Sequence, residues 1–156
     1  MVRTLIFSTA VALVLVAPFS ASYASARTGS TPHIDGSVQF PQNKSRIVRH
    51  TIRLHIPQGS SPLSQLIIAV PEGLVVSNNI TLKEKSEREI NANFSIIGNK
   101  VIVNFPQPVT PESKLELDLN NVRRRGTSNA WLYQISAKFV GTDREMPIGI
   151  ARLRVY

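Results

Sequence analysis

A period of two restricts this chain more than any other feature of its sequence. From Ser37 onward, apolar and polar residues alternate in short runs broken by Pro, Gly and Asn, and no long segment carries a 3.6-residue apolar period. Successive side chains of a strand point to opposite faces, so each run describes a ribbon with one dry face and one wet face. Between Arg49 and Ile56 the polar set is Arg49, Thr51, Arg53 and His55 and the apolar set is Ile52, Leu54 and Ile56, with Pro57 as the stop. Leu66, Ile68 and Val70 follow, bounded by Pro62 and by Pro71-Glu72-Gly73, which is turn chemistry. Ile90 to Ile97 and Lys100 to Phe105 read as a hairpin about Gly98-Asn99, residues that tolerate the positive φ of a two-residue loop. Pro106, Pro108 and Pro111 then read as a stiff crossing loop.

Further on, Leu115, Leu117 and Leu119 alternate with Lys114, Glu116 and Asp118, and Trp131, Tyr133, Ile135, Ala137 and Phe139 share one parity. Ala151, Leu153 and Val155 alternate with Arg152 and Arg154 at the end. About seven or eight strands at this spacing predict an all-β fold, an antiparallel immunoglobulin-like β-sandwich with Trp131 in its core. The charged stretch from Leu82 to Glu89 fits either one helical turn carrying a Glu84–Arg88 pair or a loop.

The first 26 residues obey different rules. Arg3 precedes an apolar run from Leu5 to Ala17, and Ala24-Ser25-Ala26 supplies small residues for cleavage, the pattern of a secretory signal peptide. The run is shorter than the roughly 20 residues a membrane-crossing helix needs. The expected organisation is therefore a signal peptide at 1–26, a flexible lead at 27–36 and a single β-sandwich domain at 37–156. Export to the periplasm, the cell surface or the extracellular space follows from it.

Charge is where composition enters. The chain holds 18 Lys and Arg against 10 Asp and Glu, and only Arg3 of this excess lies in the leader, so the exported part keeps a formal charge of about +7. An exported basic domain meets lipid head groups, anionic polysaccharide or envelope proteins, and no nucleic-acid-binding motif is present. The absence of Cys excludes disulfides, thiolate catalysis and Cys-ligated zinc.

Catalytic constellations are poorly represented. There is no G-x-S-x-G elbow and no phosphate-binding glycine loop. His50 and His55 are five apart on one strand and point to opposite faces. His33 and Asp35 could touch a metal together, but their place in the lead favours a solvated pair. Glu116 and Asp118 share only a wet strand face. The expectation is a non-enzymatic module with no cofactor and no metal. Its candidate ligand-binding residues are arginines, whose forks suit phosphate, sulfate and carboxylate. Arg123, Arg124 and Arg125 read as a compact basic turn. Arg49 and Arg53 line one strand and Arg152 and Arg154 the last, and the four would crowd one surface if those strands were neighbours. An alternative use is docking through an exposed strand edge as a structural subunit, and a third reading is a small carboxylate- or His-dependent hydrolase.

Ile56-Pro57, the run Val103-Asn104-Phe105-Pro106-Gln107-Pro108-Val109-Thr110-Pro111, the strand Leu115 to Leu119, and Tyr133 with Ala137, Phe139 and Gly141 occur in an order that resembles a family of secreted cyanobacterial domains of unknown function. The resemblance covers residues 47 to 142. It implies an exported β-domain and carries no catalytic residue.

Overall fold

The structure, a computed structural model, describes residues 31–156. The expected signal peptide and the first residues of the lead, 27–30, lie outside the described residues. The fold is all-β: ten strands form two antiparallel sheets packed as an immunoglobulin-like sandwich. The strands are β1 (His33–Phe40), β2 (Ile47–Ile56), β3 (Leu63–Ala69), β4 (Leu74–Val75), β5 (Ile80–Glu84), β6 (Asn93–Ile97), β7 (Lys100–Val109), β8 (Ser113–Arg124), β9 (Ala130–Phe139) and β10 (Met146–Arg154). Sheet one runs β1-β2-β8, with β4 and β5 following one another along the far edge of β8. Sheet two runs β10-β9-β3-β7-β6.

Alternation drives the packing. Ile52, Leu54, Leu115, Leu117 and Leu119 point inward from sheet one, and Leu66, Ile68, Val101, Val103, Tyr133, Ile135 and Leu153 meet them from sheet two, all buried. Burying each such aliphatic contributes roughly 1.5–3 kcal/mol. Trp131 is buried as expected, its ring lying against the backbone of Gly73 and Gly126.

Four expectations need correction. Among the described residues the strand count is ten, because β4 and β5 are short and the alternation of the first strand is interrupted by Asp35 and Gly36. Residues 33–36 are no lead: they form the first half of β1, which pairs with β2 from His33↔His55 to Phe40↔Arg49. Pro106 and Pro108 lie inside β7. Prolines are tolerated there because pairing with β6 ends at Asn104, and the register with β3 jumps from Asn104 to Val109, so no ladder needs their missing N–H groups. Finally, Glu84 and Arg88 do pair, at 2.9 Å, but across a tight turn. Glu87, at φ 61°, donates its N–H to the Glu84 carbonyl and closes that turn. The Gly98-Asn99 hairpin is as expected, with Gly98 at φ 61°.

On one side the two sheets nearly meet. β1 approaches β10, with the Ser37 hydroxyl donating to the Arg152 carbonyl at 2.8 Å and Ile34 resting on Gly149. The opposite edge of sheet two, β6, has no such cover from another named strand. Among the described residues, no helix is long and apolar enough to cross a membrane.

Candidate functional site

The seven arginines singled out by sequence do not form one site. Arg49 is exposed on the outer face of sheet one with its guanidinium 5.5 Å from the Phe40 ring centroid. Arg53 lies four residues on, exposed and ion-paired with Glu116 at 2.9 Å. Arg152 and Arg154 are exposed on the outer face of sheet two. They are not neighbours of the β2 pair, because β1 stands between β2 and β10 and the two pairs belong to different sheets.

Arg123, Arg124 and Arg125 are not a basic turn either. The first two close strand β8, where a bulge at Asn121, φ 54°, reverses the parity of Leu115, Leu117 and Leu119 and sends Arg123 outward and Arg124 inward, and Arg125 follows exposed. Arg124 is only 9% exposed. Its guanidinium donates to the carbonyls of Asn43, Ser45 and Ser128 at 3.2–3.4 Å and lies 5.7 Å from the Trp131 ring centroid. A guanidinium spent on three carbonyls and a ring organises two loops and is not offered to a ligand. It is therefore corrected from a binding residue to a structural one.

The buried side of this arginine carries a polar chain that crosses the sandwich. Tyr133 of sheet two meets the His50 Nδ1 of sheet one at 2.6 Å, and the His50 Nε2 meets the Gln39 Oε1 at 3.1 Å. The Gln39 amide nitrogen donates to the carbonyls of Pro41 and Asn43, which orients its oxygen toward the imidazole. His50 therefore donates from Nε2, and Nδ1 accepts from the tyrosine hydroxyl. Burial lowers the His50 pKa to about 4, with a smaller contribution from Arg124, and burial pushes the Tyr133 phenol up. Each polar atom of this chain is matched to a partner, so it functions as a strut between sheets.

The surface that stands out is the outer face of sheet two. Its five strands contain Lys100, Lys138, Arg152 and Arg154 and no Asp or Glu, whereas the strands of sheet one contain Asp35, Glu84, Glu116 and Asp118. Register assembles the face. One row across it reads Ile150, Gln134, Ala69, Lys100 and Ile97, the next reads Ser136, Ile67, Ile102 and Ser95, and Leu132 pairs with Arg152 beside them. Ile97, Leu132 and Ile150 are 64%, 50% and 58% exposed. Exposed aliphatics among unopposed cations form a surface that suits a partner with negative charge over an apolar layer. Nothing local in the sequence marks Lys100, Lys138, Ile97, Leu132 and Ile150 as one surface. The signal was present as five acid-free runs, but only sheet order shows that these runs lie side by side.

No protein-family model and no curated protein matches the chain. Solved structures share its fold. The N-terminal domain of the Streptococcus gordonii adhesin Sgo0707 is 12% identical with a TM-score of 0.52, over 81% of this chain and 32% of that one. The collagen-binding domain from a Staphylococcus aureus adhesin is 9% identical with a TM-score of 0.50, over 81% and 99%. BcpA, the major pilin subunit of Bacillus cereus, is 14% identical with a TM-score of 0.53, over 80% and 40%. The chain thus spans about a third of the Sgo0707 fragment and two fifths of the pilin subunit.

Proposed function

We propose that the protein is an exported, non-catalytic binding module of the cell envelope that contacts an anionic lipid surface through the outer face of sheet two. The observation that carries this reading is the acid-free character of that sheet together with exposed Ile97, Leu132 and Ile150. Lysine and arginine side chains reach head-group phosphates while the aliphatics between them leave water for the acyl boundary. Anionic polysaccharide would use the same cations but gains little from bare aliphatics, and the strands of this sheet carry no exposed aromatic ring for sugars to stack on, Tyr156 lying just beyond β10 beside Arg154. The likeness in fold to adhesin and pilin domains is consistent with a surface or envelope setting.

The test is cosedimentation with phosphatidylcholine vesicles prepared with and without phosphatidylglycerol, at low and high salt. Retention on the anionic vesicles alone, weakened by salt and by the double variant Lys100→Glu/Arg152→Glu, is the expected result. Equal retention on both vesicle types, or a folded double variant that binds as wild type, overturns the reading.

A second reading is favoured by β6. This edge strand, Asn93-Phe94-Ser95-Ile96-Ile97, carries no charge and no Pro, the two devices that usually block strand addition. Docking of a partner strand there would make the protein a structural subunit. Replacing Ile96, whose N–H faces the open edge opposite the non-hydrogen-bonded Val101, with Pro would abolish such docking and leave vesicle retention intact.

A further inference from the structure

We infer that His33, Asp35 and His55 form a surface site for a first-row divalent metal ion such as zinc. This site is independent of the lipid-facing surface, because it lies on sheet one. Strand pairing creates it. His33 of β1 stands directly opposite His55 of β2 in the antiparallel ladder, and their ring centroids are 5.0 Å apart. The register then shifts between Ile34 and Gly36, so that Asp35 is the residue inserted by a β-bulge, and bulges re-aim the side chains they carry. The Asp35 Oδ1 lies 3.2 Å from the His33 Nε2. One donor atom from each of the three residues lies within 4.8 Å of the others.

The hydrogen bonding of His33 is the second observation. Its Nδ1 faces the Thr31 carbonyl at 3.3 Å and its Nε2 faces the Asp35 carboxylate. A neutral imidazole has one N–H and one lone pair, so it cannot satisfy an oxygen acceptor at each nitrogen. With Nδ1–H on the Thr31 carbonyl, the Nε2 lone pair is aimed at the side of the ring where Asp35 stands, and a cation placed between them would be shared by both. An Nδ1–H held by a backbone carbonyl is the arrangement that orients metal-binding imidazoles.

Donor chemistry and dimensions select the ion. Two imidazoles and one carboxylate suit zinc, copper or nickel better than calcium or magnesium, which prefer oxygen alone. Ligands about 2.0–2.2 Å from a tetrahedral zinc stand about 3.3 Å apart, so the His33–Asp35 pair at 3.2 Å is already at that spacing and the His55 donor, within 4.8 Å of both, must close by at most about 1.5 Å. Rotation of these partly exposed side chains provides that movement, and solvent can supply the fourth ligand. Lys114, opposite His55, and Arg53, opposite Gly36, flank the cluster, and Arg53 is already held by Glu116.

The experiment is isothermal titration of the tag-free protein with zinc chloride at neutral pH in a non-chelating buffer. One zinc per chain is expected, with His33→Ala and His55→Ala each weakening affinity at least tenfold, since even residues that only support a metal ligand cost about 10–100-fold. Paramagnetic broadening by copper should centre on the two imidazoles and spare His50. Trp131 near-ultraviolet dichroism reports whether each variant keeps its fold, and His33→Gln replaces any that does not. Absence of saturable binding, retention of affinity by folded variants, or broadening centred elsewhere overturns the site.

Discussion

The Tyr133 hydroxyl lies 2.6 Å from the His50 Nδ1, with the two rings edge to face, and this contact joins the two sheets through the middle of the sandwich. His50 belongs to the parity of Ile52, Leu54 and Ile56, so the fold holds an imidazole where alternation asks for an aliphatic. Its pKa falls from 6.5 to about 4. A lowered value means that the unfolded chain takes up the proton first, so the contribution to stability is complete above the unfolded pKa and is lost as pH falls toward the folded one. Linkage puts the loss at roughly 3 kcal/mol across that window. Urea denaturation at several pH values should show this decline in wild type and a flatter profile in His50→Gln. Parallel profiles would contradict the assignment.

Tyr133→Phe removes the donor to Nδ1 and leaves a buried acceptor without a partner. A cost of about 1–3 kcal/mol is expected. The measurement is the same denaturation near neutral pH, where a change within error would remove the strut role.

Arg124 separates structure from binding. Arg124→Met keeps the bulk against Trp131 but strands the carbonyls of Asn43, Ser45 and Ser128. It should lower stability by roughly 1–3 kcal/mol while leaving vesicle retention per folded molecule unchanged. Arg152→Ala should do the reverse, since its side chain is exposed.

The aliphatics of sheet two can be tested apart from its charges. Leu132→Ser with Ile150→Ser should reduce anionic vesicle retention most clearly at high salt, where electrostatics are screened. Stability should change by no more than about 0.5 kcal/mol per exposed site. Undiminished retention would reduce the surface to a charge effect.

Gly73 and Gly98 make a paired test of backbone strain. Both have positive φ, 85° and 61°, but an added Cβ at Gly73 would meet the Trp131 ring at 3.2 Å, whereas Gly98 faces open space. Gly98→Ala should cost about 1–2 kcal/mol for the left-handed backbone. Gly73→Ala should cost more, by the overpacking of a buried ring, and thermal melts of the two variants give the order directly.

Local rules sufficed for much of this protein. Leucines 115, 117 and 119, the aromatic and aliphatic series from Trp131 to Phe139, and the Gly98-Asn99 hairpin were all legible, because alternation and turn chemistry are properties of neighbours in the chain. His33 to Phe40 does not read as a strand because Asp35 and Gly36 interrupt its alternation, and pairing with β2 is what extends it. Alternation from Leu115, Leu117 and Leu119 would send Arg124 outward; the bulge at Asn120 and Asn121, where the register with β2 shifts and Asn121 takes φ 54°, reverses the parity, and nothing local could supply the carbonyls that make its burial tolerable. The same holds for the grouping of side chains. The sequence by itself determined which residues face in or out along each unbroken run of alternation, but not across the bulges at Asp35 and Asn121. Only the tertiary structure decided which strands lie side by side, because strand order depends on contacts between segments far apart in the chain. That order separated Arg49 from Arg152, gathered Lys100 with Ile97 and Ile150 on an acid-free face, and brought His55 to His33.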